Sequence, residues 1–297
     1  MRAYHQITFV SLIYGVVAYA AVAAENQVSV TTDSVYRYIT ANGIPDHGTG
    51  HFPNRGNPNT ISAQSYHYRV PLQPKLYKTS RNIGMSAFGV AVNGVPFDPS
   101  ANEFWNNDRT SGWQYDALSG AINLGMDANN AHVQPGGAYH YHGIPTGLVG
   151  KLDASTHAPL VGWAADGFPI YVVYGYKDPA DMTGVIVEQT SSWRLKEGTR
   201  PDGPGGRYDG TFVQDYVYTE GAGTLDECNG IYTRTPDYPG GTYAYFLTRA
   251  FPVVPRCLMG QMDDSFRKHP PQGGRGMPGG HGHPHPPFGG PPPYGPR

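Results

Sequence analysis

Charged residues are scarce in this chain of 297 residues: Asp, Glu, Lys and Arg together make up 15% of it, and the formal net charge is −2. Such a chain has no strongly basic surface of the kind that attracts nucleic acid, so we expect no nucleic-acid partner. Motifs of the common hydrolases and nucleotide-binding enzymes are missing too, because the sequence contains no G-x-S-x-G, H-E-x-x-H or P-loop pattern. Nothing in the sequence therefore points to those chemistries.

Cysteine is almost absent, with Cys228 and Cys257 the only two in the chain. In an exported protein both thiols meet an oxidising compartment, and we predict that they form a disulfide. Closing a loop of about 30 residues in this way stabilises a folded chain by on the order of 3–4 kcal/mol. The alternative, a metal site made from the two thiolates, does not fit the spacing of known thiolate sites.

Long apolar runs are missing as well, except for one near the N-terminus. Residues 7–20 are apolar or small, Arg2 precedes them, and Ala21-Val22-Ala23 supplies small residues for cleavage. This pattern is typical of a secretory signal peptide, which we predict over residues 1–24. The alternative is a retained membrane anchor, which needs roughly 20 apolar residues. We expect an exported protein, periplasmic or extracellular, that has no membrane span after signal cleavage.

Glycine, proline and tyrosine are abundant, at 40, 28 and 22 residues. This composition favours many short strands joined by turns, and no segment shows sustained helical periodicity. We predict a mainly β fold over residues 25–267: an antiparallel β-sandwich or barrel-like single domain with long loops. Predicted elements include a hairpin with its turn at Asn93-Gly94, and strands over residues 147–153, 170–176 and 242–248.

The last thirty residues, 268–297, differ from the rest of the chain. Ten prolines and nine glycines predict a disordered tail, because almost nothing there can form a core. The tail also holds His269, His281, His283 and His285. Flexible imidazoles at this spacing bind Cu, Ni or Zn with modest affinity, and the alternative is a chance feature of a low-complexity segment.

Histidines are concentrated in residues 127–145, where His132, His140 and His142 fall within eleven positions. The Tyr-His-Tyr-His run at 139–142 alternates as a strand does, so both of its histidines project from one face. His132 reaches the same region across a Pro-Gly-Gly turn, from a neighbouring strand. Three neutral imidazoles suit Zn or Cu, and we predict such a site here. The alternative is that the three histidines are structural.

Three further residues are candidate metal ligands. Asp166 follows an apolar run and precedes a glycine, which we expect to lift its carboxylate into a cleft as a metal ligand or as a partner of a histidine. The alternative role is a turn-forming aspartate. His47 and His51 lie in a long polar loop, residues 42–59, of the kind that carries function or simply makes turns.

The Tyr-His-Tyr-His run resembles the YHYH domain family, a group of mostly secreted or periplasmic bacterial proteins that is named for those four letters. Four other segments fit this resemblance: NGIPDH at 42–47, VNGVPF at 92–97, AADGFPIY at 164–171 and DECNG at 226–230. The likeness spans about residues 42–260. It implies export and family membership, but no particular activity.

Three functions are compatible with these residues. The first is a secreted domain that binds Zn or Cu through the three histidines. The second is a metal-dependent hydrolase of an exported substrate, with the histidines as ligands and Asp166 as base. The third is a surface module that uses exposed tyrosines to bind a glycan or another small molecule without a metal.

Overall fold

A computed structural model describes residues 24–267 of the chain. These residues all belong to one compact unit. The predicted signal peptide, apart from Ala24, and the predicted tail over residues 268–297 lie outside the described residues. Among the described residues, no helix is long and apolar enough to cross a membrane.

The described residues form many short strands, as the frequent glycines and prolines favour. In chain order the strands are β1 (Val28–Thr32), β2 (Tyr36–Ala41), β3 (Tyr66–Pro71), β4 (Arg81–Asn82), β5 (Gly89–Ala91), β6 (Pro96–Phe97), β7 (Ser100–Phe104), β8 (Gln114–Asp116), β9 (Ala131–Val133), β10 (Tyr139–Tyr141), β11 (Gly162–Ala164), β12 (Pro169–Val172), β13 (Tyr174–Tyr176), β14 (Ile186–Glu188), β15 (Trp193–Leu195), β16 (Tyr216–Tyr218), β17 (Gly230–Thr233), β18 (Thr242–Leu247) and β19 (Cys257–Leu258). One α-helical turn, α1 (Thr146–Val149), and short 3-10 turns over Trp105–Asn107, Arg109–Ser111, Val213–Asp215 and Asp264–Phe266 complete the elements.

The largest sheet has eight strands in the order β17-β18-β12-β11-β5-β6-β10-β9. A second sheet contains β1, β2 and β3, and the other strands form two-stranded pairs. The predicted mainly β fold is confirmed. The eight-stranded sheet does not close on itself among the described residues, and two of its pairings, β6–β10 and β12–β18, are parallel. It is therefore a mixed open sheet rather than a purely antiparallel one.

The predicted strands agree with the structure in part, and the differences lie at turns. The hairpin at Asn93-Gly94 is confirmed, since β5 and β6 pair antiparallel and Gly94 has a φ of 81°. The predicted strand over residues 147–153 is wrong, because the chain turns into α1 there. Residues 170–176 form two strands instead of one. They divide at Val173, whose φ is 62°, so β12 lies in the large sheet and β13 pairs with β14.

Aromatic side chains fill the core, and Tyr139, Tyr141, Tyr171, Tyr245 and Phe88 are all 0% exposed. Burying a tyrosine is favourable only when its hydroxyl finds a partner, and each of these four hydroxyls has one. The core thus contains both apolar rings and a set of buried polar contacts.

The predicted disulfide is confirmed: Cys228 and Cys257 are bonded, with their Cα atoms 5.2 Å apart. Cys228 is fully buried and precedes β17, while Cys257 begins β19, which pairs with β4. The bridge therefore ties the C-terminal part of the described chain to the large sheet.

Candidate metal centre

The hairpin formed by β9 and β10 lies at one edge of the eight-stranded sheet and carries the three histidines. In this antiparallel pair His132 is directly opposite His140. Residues directly opposite one another project from the same face, and His142 projects there too because it lies two residues beyond His140. The hairpin turn contains Gly136 and Gly137 at φ values of 99° and 88°, a conformation that other residues rarely adopt.

The imidazole rings meet on this face. Nε2 of His142 lies 2.9 Å from Nε2 of His140 and 3.1 Å from Nε2 of His132. Two nitrogens bound to one tetrahedral zinc ion at about 2.0–2.1 Å are about 3.3 Å apart, close to these separations. His140 and His142 are buried, at 2% and 3% exposed, and His132 is half-buried. The cluster has the dimensions of a site that could hold one metal ion.

Backbone carbonyls orient two of the rings. Nδ1 of His132 lies 2.9 Å from the Leu124 carbonyl oxygen, and Nδ1 of His140 lies 3.3 Å from that of Ala138. A carbonyl oxygen only accepts hydrogen bonds, so each Nδ1 carries the proton and each Nε2 presents a lone pair to the cluster. Burial also lowers the pKa of His132, which favours its neutral form. Both effects suit metal ligation.

Residues distant in sequence surround the cluster. Asn57 is 4% exposed, and its side-chain nitrogen donates to the Val133 carbonyl at 2.9 Å. The same nitrogen lies 3.2 Å from Nδ1 of His132, which is a packing contact when Nδ1 is protonated, since both atoms are then donors. Asp98 is 2% exposed, receives a hydrogen bond from Gln134, and counteracts the lowered pKa of His132 through its charge. Neither residue was predicted. The asparagine-rich loop over residues 42–59 was the signal for Asn57, while Asp98 had none.

The opposite face of β10 holds the two tyrosines. The Tyr139 hydroxyl donates to the Asp127 carboxylate at 2.6 Å. The Tyr141 hydroxyl accepts from Asn93 at 2.9 Å and lies 2.6 Å from Nε2 of His47. Burial raises the pKa of both tyrosines, so each hydroxyl keeps its proton. This face is a set of completed hydrogen bonds.

The other predicted ligands lie apart from the cluster. Among the described residues the metal-ligand grouping contains the three histidines and no carboxylate. His47 stacks on Tyr141 at the tyrosine face, with ring centroids 5.9 Å apart. His51 is exposed in the loop, and its backbone oxygen accepts from Asn54.

Asp166 is buried rather than lifted into a cleft. It is 1% exposed, and its carboxylate accepts a hydrogen bond of 2.6 Å from the Tyr245 hydroxyl. Burial raises the pKa of Asp166 to about 7, which the hydrogen bond from Tyr245 partly opposes. The Tyr245 hydroxyl in turn accepts from the Met259 backbone, so Asp166 helps to anchor the C-terminal segment.

Comparison with known proteins identifies one family. A family model described as YHYH protein matches residues 67–260, which is more than half of the chain. The curated proteins contain no match, and neither do the solved structures. The matched region includes the hairpin and all three clustered histidines, and so the chain belongs to the YHYH protein family.

Proposed function

We propose that this protein is an exported metal-binding domain in which His132, His140 and His142 hold one Zn or Cu ion. The observation that carries the proposal is the convergence of three imidazole Nε2 atoms, two of whose separations are 2.9 and 3.1 Å. These separations match the spacing of nitrogens around one small ion. The three ligand atoms all lie within 4.8 Å of one another.

The tautomers give a chemical reason to prefer an ion over a purely structural cluster. With their protons on Nδ1, His132 and His140 both direct Nε2 lone pairs toward Nε2 of His142. A proton on Nε2 of His142 can form a hydrogen bond to Nε2 of His132 or to Nε2 of His140, but not to both at once. A metal ion at the centre accepts all three lone pairs at once, and neutral imidazoles are what Zn and Cu require.

A metal-dependent enzyme is the second candidate. Three protein ligands leave a fourth coordination position for water or substrate, which is the arrangement of catalytic zinc sites. The supporting observation is that His142 lines a cavity of about 350 Å³. Asp166 is not the base of such an enzyme in this proposal, because its carboxylate is engaged by Tyr245. A glycan-binding platform has less support, since the exposed tyrosines Tyr38 and Tyr232 lie in different sheets.

The test is metal stoichiometry in the full chain, with His269, His281, His283 and His285 replaced by Gln so that the tail does not contribute. After exposure to Zn or Cu at neutral pH and removal of loose metal with a weak chelator, elemental analysis should find about one equivalent. His132→Gln, His140→Gln and His142→Gln should each lose it, since Gln keeps polarity and size but coordinates poorly.

His157→Gln is the matched control, because His157 is also half-buried and its Nδ1 also faces a backbone carbonyl, that of Ala158. This variant should keep the metal. A parent protein that retains neither ion, or cluster variants that retain it as well as His157→Gln does, would defeat the proposal.

Export is part of the proposal and is supported by the Cys228–Cys257 disulfide, which is typical of oxidising compartments. N-terminal sequencing of protein recovered outside the cytoplasm should find a chain that begins at Ala24 or Glu25. Recovery of the protein only in the cytoplasm, with residues 1–23 intact, would contradict export.

A further inference from the structure

A cavity of about 350 Å³ adjoins the histidine cluster through His142. Cavities of roughly 300–1,000 Å³ are the usual size for small-molecule sites. Besides His142, the wall is formed by Pro99, by residues between 116 and 119, by Tyr216 at the start of β16, and by residues between 249 and 256, which follow β18; its charged side chains are Asp116, Arg249 and Arg256. One side chain therefore belongs to both the candidate metal centre and the cavity.

The charges on the wall favour an anion. Its side chains include the guanidinium groups of Arg249 and Arg256 and one carboxylate, that of Asp116, so cationic groups outnumber anionic ones on the wall. A divalent ion held by the histidines would add further positive charge. Guanidinium groups recognise carboxylates and phosphates through paired N–H donors, and these charge-assisted bonds are strong.

Arg256 has donor capacity left for a ligand. Its Nη2 bonds Asp116 at 2.8 Å, and the two side chains are 18% and 11% exposed. Its Nε is buried and has no hydrogen-bond partner among residues 24–267. A buried donor without a partner is costly, so a ligand or a water molecule that accepts from this Nε is favoured. Arg249 is more exposed, at 54%, and lies 3.6 Å from Glu188.

We propose that this cavity binds the oxyanion group of a small molecule, a carboxylate or a phosphate, between Arg256 and the metal ion held by His142. This inference rests on the proposed metal site and adds the class of ligand to it. Arg256 supplies the N–H donors that recognise the anion, and the metal supplies a coordination position on the other side.

The experiment uses the tail-histidine variant of the full chain loaded with Co(II), whose visible absorption changes when its ligands change. Acetate and inorganic phosphate are titrated separately, with acetamide as the uncharged probe. At least one anion should give a saturable spectral change, and which of the two does so identifies the group that is recognised. Acetamide should give none.

Substitutions of individual arginines test where the anion binds. Arg256→Gln should weaken anion binding by about tenfold or more, since a hydrogen bond to a charged group is lost. Arg249→Gln, at an exposed position that does not endanger folding, should weaken it by a few fold. Arg200→Gln is the matched control: it breaks the buried Arg200–Asp215 pair, which does not line the cavity, and should leave anion affinity unchanged.

The outcomes separate this inference from the proposed function. If Co(II) binds but neither anion changes the spectrum, or acetamide acts equally, the inference is wrong and the metal site stands. An equal loss of affinity in Arg200→Gln and Arg256→Gln overturns it as well. If no metal binds, the proposed function fails, and the inference, which requires that metal, fails with it.

Discussion

The buried polar atoms on the two faces of β10 find their partners in different ways. Both are buried and both are polar, because tyrosines alternate with histidines along residues 139–142. On one face each tyrosine hydroxyl meets partners of its own: Asp127 for Tyr139, and Asn93 and His47 for Tyr141. On the other face the imidazole nitrogens meet one another. Buried polar atoms with separate partners stabilise the fold, whereas nitrogens that converge on one point have the geometry of a site that could hold a metal ion.

The largest expected difference between the faces is the effect of metal on stability. An ion that binds only the folded chain stabilises it by about 4 kcal/mol at a thousandfold excess over its dissociation constant. We expect the parent and Tyr141→Phe to unfold at clearly higher temperature with Zn than with EDTA, when circular dichroism follows melting. His142→Gln should melt at the same temperature in both. An equal metal-dependent shift in His142→Gln would remove the distinction between the two faces.

Asp166 belongs to neither face, and we expect it to affect the pH dependence of stability but not metal binding. Burial raises its pKa from 3.8 to about 7 in the folded protein. Between these values the folded chain holds a proton that the unfolded chain releases, so the Asp166 contribution to stability falls as pH rises from about 4 to about 7. Without metal, Asp166→Asn should remove this loss, on the order of 2–4 kcal/mol.

The measurement is urea unfolding of the parent and of Asp166→Asn at pH 5 and pH 8, in chelator. The change in the free energy of unfolding between the two pH values is compared between the two proteins. Other buried carboxyl groups, such as Asp116 and Asp226, also titrate, but they are common to both proteins and cancel in the comparison. The metal content of Asp166→Asn should equal that of the parent. Identical pH dependence in the two proteins would mean that Asp166 keeps an ordinary pKa when folded.

Removing a hydroxyl from the tyrosine face should cost stability without affecting the metal. Tyr141→Phe deprives Asn93 and His47 of a partner, and Tyr139→Phe deprives Asp127 of one. We expect each change to lower the free energy of unfolding in chelator by about 1–3 kcal/mol. Bound metal should remain at about one equivalent. If either variant lost its metal while staying folded, the two faces would be coupled rather than separate.

The sequence predicted what depends on local pattern. Alternation placed His140 and His142 on one face, and the Pro-Gly-Gly turn brought His132 beside them, because strand period and hairpin geometry act over a few residues. The Asn93-Gly94 hairpin was predictable for the same reason. The mainly β fold followed from composition and short alternating segments.

What the sequence did not predict depends on long-range packing. Asn57 contacts His132 across 75 positions, and the asparagine-rich loop indicates a functional segment without indicating that contact. His47 and Asp166 are typical ligand residues near turns, but only tertiary structure directs one toward Tyr141 and the other toward Tyr245. The turn at α1 was missed because the apolar pair Leu148-Val149 between two glycines was interpreted as a short strand, whereas the chain does not pair there.

The smallest expected effect belongs to His51, the candidate ligand that lies exposed in the loop over residues 42–59. His51→Gln should change the free energy of unfolding by no more than about 0.5 kcal/mol, as is usual for exposed positions without buried partners. It should also leave the bound metal in place, whereas His132→Gln, the same substitution at a half-buried histidine, should remove it. Elemental analysis and urea unfolding of the two variants side by side make the measurement. Metal loss in His51→Gln would mean that the loop supplies a ligand, and the site would then require a rearrangement that brings His51 to the histidine face.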